Sequence, residues 1–180
     1  MLVLTAAVII VGILCLLDML LTFGVIRRLR EHSELLRTRQ FGDEPPVISL
    51  SAGQVPAEFA VTADDGAAVT GPAGLQLAGF FSASCSVCPE RVAPFIEYVS
   101  ANRINRGNVL VTMLTADGAA VPPYLSQLAE VALVTVQPYG NLIAKAFGVA
   151  GFPAFCLLDA DGAVVATGYD PAALPAPAMA

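Results

Sequence analysis

The pattern of apolar and polar positions divides the chain into stretches of different character. From Leu2 to Ile26 the chain is predominantly apolar and carries one charged side chain, Asp18. At about 1.5 Å of rise per residue, a helix of that length crosses a bilayer, so the pattern predicts a transmembrane anchor over 1–26. No basic residue precedes the run and no small-x-small site with a polar exit follows it, which argues for an uncleaved anchor over a signal peptide. Arg27 to Arg39 intersperses arginines with Glu31 and Glu34 at spacings of three and four, predicting a helix that continues out of the membrane. Gly42-Asp43-Glu44-Pro45-Pro46 breaks it, so 27–46 reads as a juxtamembrane helix and linker.

Beyond residue 46 short β-compatible runs alternate with helical ones. Val47 to Leu50, Glu58 to Thr62 and Ala67 to Thr70 predict an opening hairpin around the turn Asp64-Asp65-Gly66. Leu75 to Phe81 predicts a buried strand, followed by a helix to about Asn102 with Pro94 inside it and a kink there. Val109 to Thr115 suits a buried parallel strand, Pro122 to Glu130 a short helix, and Val131 to Val136 a further strand. Asn141 to Phe147 is helical in pattern and Gly148 or Gly151 closes it. Ala154 to Asp159 and Ala163 to Thr167 flank Asp159-Ala160-Asp161-Gly162 and predict a hairpin. The fold class is therefore α/β: a domain over 47–170, preceded by the anchor and followed by a loose, proline- and alanine-rich tail over 171–180.

Composition changes this picture in two places. Hydrophobic residues make up 56% of the chain, a figure inflated by the N-terminal run, so the remainder reads as an ordinary globular domain. The net charge of -6, with only nine Lys and Arg, excludes a nucleic-acid-binding surface. Five of those basic residues, Arg27, Arg28, Arg30, Arg37 and Arg39, crowd behind the apolar run, and Lys145 is the sole lysine.

Four cysteines are too few to staple a chain of this length. Cys85 and Cys88 stand three apart, after the predicted strand and at the start of the predicted helix. Unpaired N–H groups and the positive end of a helix dipole would favour a thiolate on Cys85, and Cys88, one turn on, could resolve a mixed disulfide. A structural zinc site would need further ligands, and the chain beyond the anchor offers only Cys156 and His32. The absence of any other histidine argues equally against a copper site. Cys156, in a predicted strand, reads as a small buried hydrophobe in preference to a third redox thiol. Cys15 and Asp18 share a face of the anchor, Asp18 being read as protonated or bonded to a neighbouring helix in preference to a redox or proton role. Glu90, the nearest carboxylate in sequence, reads as a helix-dipole partner in preference to a proton acceptor.

Strand, CxxC, helix, strand, helix, then Gly151-Phe152-Pro153-Ala154 before an apolar hairpin: in this order the chain resembles the thioredoxin fold. More narrowly it resembles the membrane-anchored TlpA/ResA-type thiol-disulfide oxidoreductases, including the anchored thioredoxin-like protein of methylamine utilisation. Gly53-Gln54-Val55-Pro56-Ala57-Glu58-Phe59, Asp65-Gly66, Phe147-Gly148-Val149 and Leu157-Leu158-Asp159-Ala160-Asp161-Gly162 extend the likeness over nearly the whole chain. The resemblance implies a central mixed sheet flanked by helices, a cis peptide bond between Phe152 and Pro153, and a loop there that faces the dithiol. Pro153 thereby joins Cys85 and Cys88 as a candidate site residue.

The chain departs from that family at several positions. Ser84 stands where an aromatic residue usually precedes the first cysteine, so the cover over the dithiol is expected to be smaller and more polar, with nothing nearby to replace it. Gly79 stands about where thioredoxins proper carry a buried acid. Ser86 and Val87, between the cysteines, assign neither reductant nor oxidant.

The resulting expectation is a single-pass thiol-disulfide oxidoreductase acting on protein thiols or disulfides, with no cofactor and with a membrane-embedded electron donor as a further partner that the anchor would permit. The alternative is a redox-inactive thioredoxin-like docking or assembly module of a membrane complex. The arginine flank places the domain in the cytoplasm by the positive-inside rule, whereas persistent disulfide chemistry places it outside; the expectation is the extracytoplasmic side.

Overall fold

The computed structural model describes residues 47–116 and 119–177. The predicted anchor over 1–26, the helix and linker over 27–46, Cys15, Asp18 and His32 lie outside the described residues, and among the described residues no helix is long and apolar enough to cross a membrane.

Seven strands run in chain order: β1 (Phe59–Thr62), β2 (Ala68–Gly71), β3 (Leu77–Ser82), β4 (Val109–Thr115), β5 (Leu133–Pro138), β6 (Ala154–Leu158) and β7 (Val164–Gly168). Three α-helices interrupt them: α1 (Val92–Ala101), α2 (Leu125–Val131) and α3 (Leu142–Phe147). β3 to β7 form one sheet in the order β5-β4-β3-β6-β7, and β1 and β2 form a separate antiparallel pair. β3, β4 and β5 are parallel, as their helical crossovers require, while β6 runs antiparallel to both of its neighbours, β3 and β7.

β3 is buried at all six positions because both of its faces are covered. Alternation along the strand sends its side chains to different layers. Leu77 and Phe81 meet Phe95 and Val99 of α1 and Leu128 of α2 on one face. Ala78 and Phe80 meet Phe147 of α3 and Phe59 of β1 on the other. Phe81, Phe95 and Phe155 pack as three rings at centroid distances of 5.5 to 5.9 Å, directly in the layer that holds Cys88.

Several expectations are corrected. Val47 to Leu50 forms no strand of the opening hairpin. It makes an isolated bridge, Ile48 to Val149, and the Val47 carbonyl accepts from Ala150 N–H, so this segment braces the loop before Pro153. The helix after the CxxC does not run unbroken with a kink at Pro94. A 3₁₀ turn occupies Cys88–Arg91 and the α-helix starts afresh at Val92, which puts Pro94 in its first turn, where no intrahelical N–H bond is lost. Pro122 to Tyr124 is a turn ahead of α2, not its first residues. The expected loose tail is packed as far as it is described: Pro171–Ala173 forms a 3₁₀ turn, Leu174 is buried, and Tyr98 Oη of α1 donates to the Pro175 carbonyl.

Candidate active site

β3 ends at Ser82, at the carboxyl edge of the parallel strands, where α/β sheets present their ligand-binding crevices. The chain turns there through Ala83 and Ser84, and Cys85 N–H donates to the Ser82 carbonyl at 3.1 Å. This turn holds Cys85 half-buried at the surface and delivers Cys88 into the α1 layer with no exposure at all.

The two sulfurs have different surroundings. Cys88 N–H donates to Cys85 Sγ at 3.2 Å, so negative charge developing on that sulfur meets an amide dipole. The amide belongs to the 3₁₀ turn, because the α-helix begins four residues too late for its dipole to reach the thiol as the sequence pattern expects. Burial pushes the Cys88 thiol up to about 12, and the neighbouring Cys85 sulfur adds to the shift. Cys88 is therefore held as a thiol at neutral pH. Both thiols are free of a disulfide in the structure.

The loop before β6 forms the opposite wall. The Phe152–Pro153 peptide bond is cis, and the Phe152 carbonyl accepts from Cys85 Sγ at 3.5 Å. Pro153 itself is buried beside β6. Cys85, Cys88 and the Pro153 loop thus come together in one cleft. Cys156 does not join them. It lies in the layer of Phe80 and Phe147, on the other face of the sheet from Cys88. Its thiol is raised to about 12 by burial, and its one partner among the described residues is the Leu157 carbonyl, at 4.0 Å. Glu90 is exposed on the 3₁₀ turn and bonds neither thiol. Gly79 is tightly enclosed, since a Cβ there would stand 3.1 Å from the Phe95 ring. Among the described residues no three His, Cys, Asp or Glu side chains gather as a metal site.

Two tyrosines complete the cleft, and sequence reasoning passed over both. Tyr124, ahead of α2, packs its ring 6.5 Å from that of Phe81, and burial followed by the charges of Cys88 and Cys85 raises its phenol to about 12. Tyr139 lies in the turn between β5 and α3, with its hydroxyl bonded to Ser82 and Ser84. The expectation that nothing replaces the missing aromatic at position 84 is therefore corrected: Tyr139 brings one in from a distant turn. A legible signal was present, a tyrosine in Pro138-Tyr139-Gly140-Asn141 directly after a strand parallel to β3. The carboxyl ends of parallel neighbours share one edge of the sheet.

No protein-family model matches the chain, and no curated protein matches it. Solved structures do. A thioredoxin domain of a thiol-disulfide oxidoreductase from Bacteroides vulgatus superposes with a TM-score of 0.52 at 18% identity, covering 66% of this chain and 89% of that one. A thiol:disulfide interchange protein from a Bacteroides species gives 0.51 at 18% identity, over 69% of this chain and 86% of that one. A thiol-disulfide oxidoreductase from Bacteroides fragilis gives 0.50 at 15% identity, over 63% of this chain and 89% of that one. At such identities the likeness is one of fold, and with the sheet order and mixed strand directions described above it establishes that the chain carries a thioredoxin fold.

Proposed function

We propose that the protein is a thiol-disulfide oxidoreductase acting on protein cysteines, with Cys85 as the attacking and Cys88 as the resolving thiol. The observation that carries this reading is the asymmetry of two sulfurs within one turn. Cys85 is reachable and accepts an amide hydrogen bond, while Cys88 is fully buried and held protonated. The similar solved structures, a thiol-disulfide oxidoreductase domain and a thiol:disulfide interchange protein, support the reading.

In the reducing direction the Cys85 thiolate attacks one sulfur of a substrate disulfide. A Cys85–substrate S–S bond forms, the substrate S–S bond breaks, and the released thiolate takes a proton. Cys88 then gives up its proton and attacks Cys85 Sγ, the mixed disulfide breaks, and the second substrate thiolate leaves and is protonated. Two electrons pass to the substrate and Cys85 and Cys88 end as a disulfide. The oxidising direction is the reverse. No cofactor takes part. The Pro153 loop receives the substrate chain, its backbone groups being available for pairing. Leu2 to Ile26 anchors the chain in the membrane, the dithiol domain stands on the extracytoplasmic side, and in the reducing direction a membrane-embedded electron donor restores the dithiol.

A second reading, a redox-inactive docking module, draws on Gly79, which supplies no buried acid and is crowded by the Phe95 ring. Mass measurement of the full-length chain with and without reductant separates the two. Interconversion of Cys85 and Cys88 between dithiol and disulfide is expected; a pair that stays reduced under an oxidised glutathione buffer would sink the redox reading. Protease access in intact spheroplasts tests the placement, which fails if digestion of the domain requires lysis.

A further inference from the structure

Three hydroxyls meet beside the dithiol. Ser82 Oγ is 2.6 Å from Tyr139 Oη, Ser84 Oγ is 2.9 Å from it, and the two serine oxygens are 3.0 Å apart. Hydroxyls at mutual bonding distance can each donate to one neighbour and accept from the other, so the triangle uses every proton it holds. Ser84 N–H adds a bond to Ser82 Oγ at 3.2 Å. Ser82 is 1% exposed, and Tyr139 supplies a partner that its buried hydroxyl requires.

The other end of Tyr139 touches the opposite wall. Its ring meets the Phe152 ring edge-on, with centroids 6.2 Å apart and planes at 63°. Phe152 is the residue whose carbonyl faces Cys85 Sγ and which precedes Pro153. One side chain thus spans from the strand end that delivers Cys85 to the loop that faces it.

We infer that Tyr139 is a positioning residue of the dithiol cleft, holding Ser82 and Ser84 against Phe152 and so setting where Cys85 Sγ lies relative to the Phe152 carbonyl. The inference rests on the exchange reading of the dithiol and names the group that orients it. Tyr139 also carries an electrical signature that a purely mechanical brace would lack. Its phenol is drawn below the usual value, first by Ser82 and then by Ser84, against burial and, as the smallest contribution, charge on Cys85, which both push upward. Cys85 is the ionisable group that bears on Tyr139; Cys88 and Tyr124 are the others around Cys85. Coupling between two ionising groups is reciprocal, so a phenolate at Tyr139 opposes a thiolate at Cys85 in turn.

The test uses the full-length chain in mild detergent, with Tyr139→Phe, Tyr139→Ala and Ser84→Ala, and two measurements: exchange with a disulfide-linked model peptide, and alkylation of Cys85 by iodoacetamide across pH, read by fragment mass. Tyr139→Phe keeps the ring on Phe152 and is expected to slow exchange roughly fivefold, the equivalent of one neutral hydrogen bond. The wild-type Cys85 profile is expected to carry an upper inflection from the Tyr139 phenol, and Tyr139→Phe to lose it. Tyr139→Ala slows exchange further, and Ser84→Ala moves the upper inflection to higher pH. Wild-type exchange and a wild-type pH profile in both Tyr139 variants overturn the inference. A wild-type chain that alkylates at Cys85 but exchanges no disulfide overturns the redox reading instead, and the alkylation profiles then still decide on Tyr139.

Discussion

Cys88 and Cys156 make a controlled comparison inside one molecule. Both are fully buried, both are raised to about 12 chiefly by burial, and both lie beside aromatic rings. They differ in which face of the sheet holds them and in what stands next to them. Cys156 lies in the layer of Phe80 and Phe147, with only a neighbouring backbone carbonyl in reach. Cys88 sits in the layer of Phe81, Phe95 and Phe155, one turn from a second sulfur at the surface. Burial alone holds a thiol neutral and idle; a reachable partner sulfur turns the same neutral thiol into a resolving group.

The strongest test of that contrast is substitution of each thiol. Cys88→Ser is expected to trap the substrate on Cys85, visible as the added mass of a model peptide under non-reducing conditions. Cys156→Ala should leave exchange within about twofold of wild type, the volume change in the core being small. A Cys156→Ala chain that folds but no longer exchanges disulfides would break the comparison, because position in the sheet would then not separate the two thiols.

The next effect in size contrasts the two layers themselves. Phe95→Ala and Phe147→Ala each remove a fully buried ring, at an expected cost of about 3–5 kcal/mol measured by urea unfolding. Their consequences for the dithiol should differ. Phe95 stacks on Phe155 at 5.5 Å in the layer that holds Cys88, whereas Phe147 packs on Phe59 and Phe80 beneath α3. Exchange measured under native conditions is expected to fall for Phe95→Ala and to hold for Phe147→Ala. Equal losses of exchange would mean that global stability, not local packing, limits the site.

Alkaline pH compares the thiols through stability. Below the ordinary thiol value of 9.0 both folded and unfolded chains carry the protons, and the stabilisation is fully present. As pH rises towards 12 the unfolded chain releases them while the folded chain keeps them, so stability falls. Each such thiol contributes a slope of about 1.4 kcal/mol per pH unit. Urea midpoints of Cys156→Ala should therefore decline less steeply than those of wild type between pH 9.0 and about 12. Parallel declines would show that Cys156 ionises in the folded chain as readily as in the unfolded one.

What the sequence makes legible here follows from how local each signal is. Val109 to Thr115 is recovered residue for residue as β4, because a run buried on both faces needs no partner to be recognised. Asn141 and Gly148 bracket α3 through an N-cap and a residue at φ 63°, both encoded in their own side chains. The CxxC stands out for the same reason. What stayed hidden depends on residues brought together from far apart. Val92 and Phe95 are buried where α1 starts after the 3₁₀ turn, and Leu174 is buried beside the Tyr98 hydroxyl's bond to the Pro175 carbonyl. Ser84 looked like a lost aromatic because the ring that reaches its hydroxyl comes from the turn after β5.

The smallest expected effect lies in that turn and joins the two layers. Asn141 Oδ1 accepts from Ala144 N–H at 2.9 Å, capping α3, while Asn141 Nδ2 donates to the Pro138 carbonyl at 2.9 Å. One amide thus stitches a helix of the Cys156 layer to the turn that carries Tyr139 to the dithiol. Asn141→Ala removes both bonds, with an expected cost of about 1 kcal/mol, read as a lowered urea midpoint. Asn141→Asp retains the capping acceptor and loses the donor. Its stability should recover most of the loss, while exchange is slowed in both variants, since the turn under Tyr139 is no longer tied to Pro138. If Asn141→Asp restores both quantities together, the turn is held by the cap alone, and the reach of α3 into the dithiol cleft is confined to Tyr139 itself.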